Sequence, residues 1–206
     1  MTAETTPRRP TAGRLSAARE RAILDVALAL LADVGYDRMS VDEVARRARA
    51  SKATLYRRWP GKADLAAAAL LSHKVDRPAP APAGTLRADL IAAVASIRAD
   101  AAETRDLTLG LLTAMHADPY LAHLIKPRLL EFLRQDMASL LDRAVARGDL
   151  APDMVDPAAV AEVVQALVYN RLLLTGAPLD DAFGARLVDA ILLPILHAAG
   201  RTPDLD

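Results

Sequence analysis

Two helix-capping serines, Ser40 and Ser51, stand so close together that the helix between them can be only about two turns long, with two or three residues left for a link. Ser40 opens "SVDEVARRARA". With Glu43 it forms an S-x-x-E capping box, in which each side chain satisfies a backbone donor left unpaired at a helix start. Val41, Val44, Ala45 and Ala48 line up as one apolar stripe. Ser51 caps the next segment, "SKATLYRRWPGK", and Pro60-Gly61 stops it. Two short helices with so tight a link make a helix-turn-helix. Helices this short are marginal alone and need neighbours to pack on.

The neighbours are helical too. Ser16 caps a helix to about Val34, with Ile23, Leu24, Ala27, Leu30, Leu31 and Val34 at three- and four-residue steps, and Gly35 is expected as a left-handed cap. "KADLAAAALLSHKV" begins another after Gly61. Aromatic residues are only 3% of the 206, β-branched residues are thinly spread, and Ala, Leu and Arg are abundant. The expected fold is therefore all-α, with about nine helices and no strand.

Within the second short helix, Trp59 falls about 40° from Leu55 on a helical wheel, and the pair forms a buried edge. Ala53 and Arg57 fall opposite, flanked by Thr54 and Tyr56, with Lys52 in the first turn. An edge that is small at its start and cationic beyond suits the DNA major groove. There Ala53 meets a thymine methyl and Arg57 a guanine, while Lys52, Thr54 and Tyr56 hold phosphates. Ser40 and Lys62 bracket the motif, and a capped helix start also receives a phosphate. Positions 38–62 hold eight Lys and Arg against two acidic residues. The formal net charge of the chain is zero, yet residues 1–77 hold 15 Lys and Arg against 9 Asp and Glu, a net of +6, and residues 78–206 hold 11 against 17, a net of −6. A basic front suggests a polyanionic partner; the plainer alternative is a solvated basic face on a helical hairpin.

"RPAPAPAG" at 77–84 reads as a surface link, dividing a helix-turn-helix domain at 17–77, with its motif at 40–59, from a larger helical domain at 84–200. In the second part, Leu86 to Ile97 and Leu107 to Met115 mark helices. Asp118-Pro119 caps and starts a short one, and Pro127 is expected to start a long one closed by Gly148. Asp156-Pro157 opens a helix to Leu174, and Asp180 or Asp181 opens the last, which Pro194 should kink. The first fifteen residues read as a flexible arm without an apolar segment, and no apolar run approaches the roughly 18 residues of a membrane helix. A cytoplasmic protein without a membrane partner is expected. The absence of cysteine rules out disulfides and thiolate chemistry. No cofactor is expected. No metal site is expected either, since Pro119 separates His116 from His123. No nucleophile–base pair, phosphate loop or paired-carboxylate pattern is present, so no enzyme activity is expected.

Residues 19–65, "RERAILDVALALLADVGYDRMSVDEVARRARASKATLYRRWPGKADL", resemble the N-terminal domain of the TetR family of transcriptional repressors. Residues 147–183 resemble, more softly, the C-terminal domain of one TetR-like branch. The resemblance implies a homodimeric all-α repressor with a ligand pocket in the larger domain. Carried over position by position, it implies groove and backbone contacts at Lys52, Ala53, Thr54, Tyr56 and Arg57, and phosphate contacts at Ser40 and Lys62. One position departs: the family usually has glycine in the turn, where this chain has Arg49. Either the turn is altered or Arg49 adds a phosphate contact.

The expected partners are thus double-stranded DNA with a near-palindromic operator, a small-molecule effector, and a second copy of the chain paired through helices 157–174 and 180–197. Those helices could equally be internal core. Soft or polar residues on apolar helices, namely Met115, His116, Tyr120, Met137, Tyr169 and Asn170, are the effector-site candidates. Two competing functions stay open: a small-molecule-binding helical module without specific DNA recognition, and an all-α enzyme.

Overall fold

The computed structural model describes residues 15–75, 80–152 and 155–199. The expected N-terminal arm lies almost wholly outside these residues, as do positions 77–79 of the expected link. Every described element is helical: α1 (Ala17–Arg38), α2 (Val41–Arg47), α3 (Lys52–Arg58), α4 (Lys62–Val75), α5 (Leu86–Glu103), α6 (Arg105–Ala117), α7 (Pro119–Arg147), α8 (Pro157–Tyr169), α9 (Asp181–Leu187) and α10 (Leu193–Ala199). A wider π-helical turn, Asn170–Thr175, extends α8, and another, Val188–Leu192, joins α9 to α10.

The chain ends of these helices are set by capping side chains. Ser16, Ser40, Ser51, Thr85, Asp118, Asp156 and Asp180 each accept a hydrogen bond from a backbone N–H in the first turn. Gly35 has φ 78° and ψ 167°. That is not the left-handed cap expected, but a conformation open essentially to glycine alone, and it lets Tyr36–Arg38 make one further turn at an angle to α1.

Two hydrophobic cores share one strut. The first joins α1 to α4 with Ala114 and Met115 of α6 and Leu121, Ala122 and Ile125 of α7. The second joins α5, α8, α9 and α10 with Met137, Leu140, Leu141 and Ala144 of α7. Helix α7 is 29 residues long, about 43 Å, and feeds both. Packing therefore continues past the expected boundary at 77–84: α4 lies against α1 and α7 alike.

Pro127 does not start a helix but sits inside α7, exposed, between its two buried stretches. An internal proline removes one hydrogen bond and costs on the order of 3 kcal/mol. Burial of Leu121 and Ile125 on one side and Met137 and Leu140 on the other keeps the rod continuous. Just before Pro194 the helix widens into the π turn at 188–192, and the chain continues as α10 through the proline.

One helical stretch is more apolar overall than its uninterrupted apolar runs suggest. Taken together, α8 and its π turn, Pro157–Thr175, are long and apolar enough by composition to cross a membrane, despite Glu162 and Arg171, and only 28% of the most apolar window is buried. Its buried side, Val160, Ala161, Val164, Val168 and Leu172, packs in the second core.

Candidate nucleic-acid interface and internal cavity

Helix α3 is held from behind. Leu55 is 0% exposed and Trp59 3%, both within the first core. Trp59 itself has left the helix, but its N–H closes the last turn on the Leu55 carbonyl at 2.7 Å. Ala53 and Arg57 face solvent, as do Lys52 and Tyr56. Among the described residues, no side chain bonds to Arg57, whereas its neighbour Arg58 pairs with Glu20 at 2.6 Å and lies over the Trp59 ring. Thr54 is half-buried, and its hydroxyl shares a 2.7 Å hydrogen bond with the capping Ser51.

The turn between α2 and α3 keeps its usual geometry although glycine is missing. Arg49 has φ 50°, the left-handed region. Its N–H bonds the Arg46 carbonyl, and the Ala50 N–H bonds the Ala45 carbonyl, which together form a Schellman motif. A non-glycine residue there costs roughly 1 kcal/mol. Arg19 offsets this from α1: its guanidinium donates to the carbonyls of Ala48 at 2.7 Å and Arg49 at 2.9 Å. The Arg49 side chain stands exposed.

The remaining cations are more engaged than the sequence suggested. Lys52 pairs with Asp42 at 2.5 Å. Ser40 caps α2, but Glu43 does not complete the capping box: its carboxylate turns to Arg46 and Arg47 at 2.6 and 2.8 Å. Those two guanidiniums hold the Glu43 pKa down to about 2. Lys62 donates to the Asp37 carbonyl at 3.1 Å and lies 4.3 Å from the centre of the Tyr36 ring. Tyr36 in turn donates to Asp118 at 2.7 Å, and burial together with that carboxylate pushes its phenol up. Because Asp118 also caps α7 through the Leu121 N–H, the end of α1 is tied to the α6–α7 corner.

A cavity of about 250 Å³ lies among α4, α6, α7 and α8. Met115 and Tyr169 line it, joined by residues not singled out as ligand contacts in the sequence: Leu70, Leu71, His73 and Lys74 of α4, Leu107, Thr108, Leu111 and Leu112 of α6, Ile125 and Leu129 of α7, Gln165 of α8 and Leu173 beyond it. Gly110 and Leu109 alone of the 107–112 stretch turn away. The other effector-site candidates lie elsewhere. His116 and Asn170 point to solvent, each one helical step past a cavity residue. Tyr120 is also exposed and donates to Asp64 at 2.9 Å. Met137 is buried in the second core and borders a separate cavity of about 110 Å³. His123 is exposed, and among the described residues no cluster could hold a metal ion.

Two capped short helices, a Schellman turn, an exposed cationic edge and an adjoining helical body with an internal cavity define a helix-turn-helix DNA-binding regulator. Comparisons with known proteins agree. Residues 23–69 match the model of bacterial regulatory proteins of the tetR family, and residues 80–191 match the tetracyclin repressor-like C-terminal domain. The DNA-binding transcriptional repressor TetR of Mycobacteroides abscessus is 42% identical over 89% of this chain and 96% of its own length. An uncharacterized HTH-type transcriptional regulator of Mycobacterium tuberculosis, Rv1556, is 32% identical over 91% of this chain and 93% of its own. The crystal structure of the TetR family transcription regulator SCO0332 superposes with a TM-score of 0.69 at 30% identity, covering 90% of this chain and 99% of that one. Salmonella enterica GusR shares the fold, with a TM-score of 0.68 at 19% identity. The chain belongs to the TetR family of bacterial transcriptional regulators.

Proposed function

We propose that the chain is a cytoplasmic repressor that binds a near-palindromic operator as a homodimer and leaves it when a small molecule enters the cavity among α4, α6, α7 and α8. The observation that carries the DNA half is the split of α3: Leu55 and Trp59 are sealed in the core while Ala53 and Arg57 stand free. Arg57 donates to a guanine edge, and Ala53 lets the helix backbone approach a thymine methyl. Lys52, Tyr56 and Arg49 sit beside phosphates and fix the register, with Thr54 and Ser40 adding hydroxyl contacts. Lys52 exchanges Asp42 for a phosphate at little cost, since both partners are solvent-exposed. Lys62 has three donors and spends one on Asp37, so it also reaches a phosphate.

A single α3 binds weakly; two copies about one DNA turn apart, roughly 34 Å, read both halves of a palindrome. The face that supports pairing is the unburied side of 157–174 together with 180–197, where Leu174 is 79% exposed and Ile195 45%. The cavity touches α4, which follows directly on the DNA-binding helices, so a ligand that shifts α4 changes the spacing of the two reading helices. A coupling of about 1–3 kcal/mol suffices for release.

Fluorescence anisotropy with duplexes from the gene's own upstream region tests this. A near-palindromic duplex should bind in the nanomolar range as a dimer, far ahead of a scrambled duplex. Equal affinity for both would count against base reading.

A further inference from the structure

We propose that the ligand of the α4–α6–α7–α8 cavity is a neutral, largely aliphatic molecule of roughly ten non-hydrogen atoms carrying one hydroxyl or carbonyl group. This rests on the reading above that the cavity is the effector site, and adds the chemistry of what enters it.

Size comes first. A dry cavity of ~150 Å³ takes benzene, so about 250 Å³ takes a ligand less than twice as large. The wall comes second. It is built mainly of aliphatic side chains such as Leu70, Leu111, Met115, Ile125 and Leu173, and its only rings are the Tyr169 phenol and the His73 imidazole. A chain or saturated ring fits such a wall better than a flat polycycle, which needs stacking partners.

Charge comes third and is the most selective. Lys74 is the one Lys or Arg among the lining residues, and no carboxylate lines the cavity. Its ammonium already donates to Asp100 of α5, and both side chains are largely covered. An anionic ligand would have to compete with Asp100 for the Lys74 ammonium in a largely covered site, which is unfavourable. A cationic ligand would meet Lys74 and find Asp100 taken. A neutral ligand disturbs neither. The polar handle is Tyr169, whose hydroxyl lies beside Thr108 and Gln165; burial pushes its pKa up, so the phenol keeps its proton. A ligand oxygen can accept from that phenol or from the Gln165 amide.

A matched series separates these factors: nonan-1-ol, nonanoate and nonylamine against the full-length protein at pH 8. Binding is read by calorimetry and release by anisotropy of an operator duplex. Nonan-1-ol should bind at least tenfold more tightly than either charged analogue. Tyr169→Phe should weaken the alcohol about tenfold with an unchanged melting curve. Leu111→Trp, which fills the cavity, should abolish binding. Asp100→Asn should free Lys74 and raise nonanoate affinity at least tenfold. Nonanoate or nonylamine matching the alcohol on the unaltered protein, no alcohol binding at saturation, or full binding by Leu111→Trp would each overturn the proposal. The effector reading fails separately: alcohol that binds in the cavity but leaves the duplex bound upholds the ligand class and removes the release. Release by nonanoate alone does the reverse.

Discussion

In the α2–α3 pair most of the geometry is set within a few residues: Ser40 and Ser51 open the helices, and the Arg49 and Ala50 N–H groups close the turn on the Arg46 and Ala45 carbonyls. The cavity takes its wall from Leu70 through Leu173, four helices drawn together from half the chain. The first region presents charge to a partner that is itself charged, and its side chains stand in water. The second excludes charge and pairs the lysine it has. On the function proposed above a regulator needs both, because the DNA surface must bind a polyanion while the cavity would discriminate a small molecule by what it fails to stabilise. The shared strut α7 and the Tyr36–Asp118 bond connect them.

The largest expected effects lie where either region meets its core. Leu55→Ala and Leu90→Ala each remove a fully covered leucine and should each cost about 2–5 kcal/mol in urea unfolding. Where both variants remain folded, only Leu55→Ala should lose duplex binding; equal loss in Leu90→Ala would break the distinction between the regions. Next is Arg57→Ala, expected to cost operator affinity about 1–3 kcal/mol and to leave the melting temperature unchanged. Lys62→Ala should instead weaken all duplexes alike and reduce the salt slope by about one. Smaller still is Arg49→Gly. Relief of the left-handed strain should raise stability by at most about 1 kcal/mol, or roughly 2–4 °C by calorimetry. Duplex affinity should fall if the Arg49 guanidinium meets a phosphate.

The smallest effect is a pH dependence. Glu43 titrates near 2 in the folded chain, below the ordinary glutamate value of about 4.3. A depressed carboxylate stabilises the fold above its unfolded pKa and loses that contribution as pH falls through the folded one. Glu43→Gln should therefore lower the melting temperature by a constant amount above about pH 5, and the two curves should converge between about 4.5 and 2. A difference that grows on acidification would place the carboxylate in some other role.

Legibility in the sequence followed the same division. The caps, the buried Leu55–Trp59 edge and the exposed Ala53–Arg57 edge were visible because they depend on near neighbours. How Arg49 is tolerated was not, since the clasp comes from Arg19, thirty positions away. The S-x-x-E spacing suggests a capping box, but two arginines within reach compete for the Glu43 carboxylate. In the cavity, softness on an apolar helix found Met115 and Tyr169, but the same signal marked His116, Tyr120 and Asn170 on the surface. The α4 residues carry no such signal: "KADLAAAALLSHKV" reads simply as one more helix until α6 and α8 are seen against it. Pro127 reads locally as a helix start, since local propensity carries no information about the two cores that keep α7 continuous.

The central claim is that α3 reads bases with the edge that carries Arg57. Its most direct test is selection of bound duplexes from a random library by the unaltered dimer and by Arg57→Ala, followed by sequencing. A palindromic consensus should emerge, and Arg57→Ala should lose preference at one symmetric pair of positions, guanine in each half-site, with the rest retained. An identical consensus from both proteins would contradict the account, as would no consensus from the unaltered one.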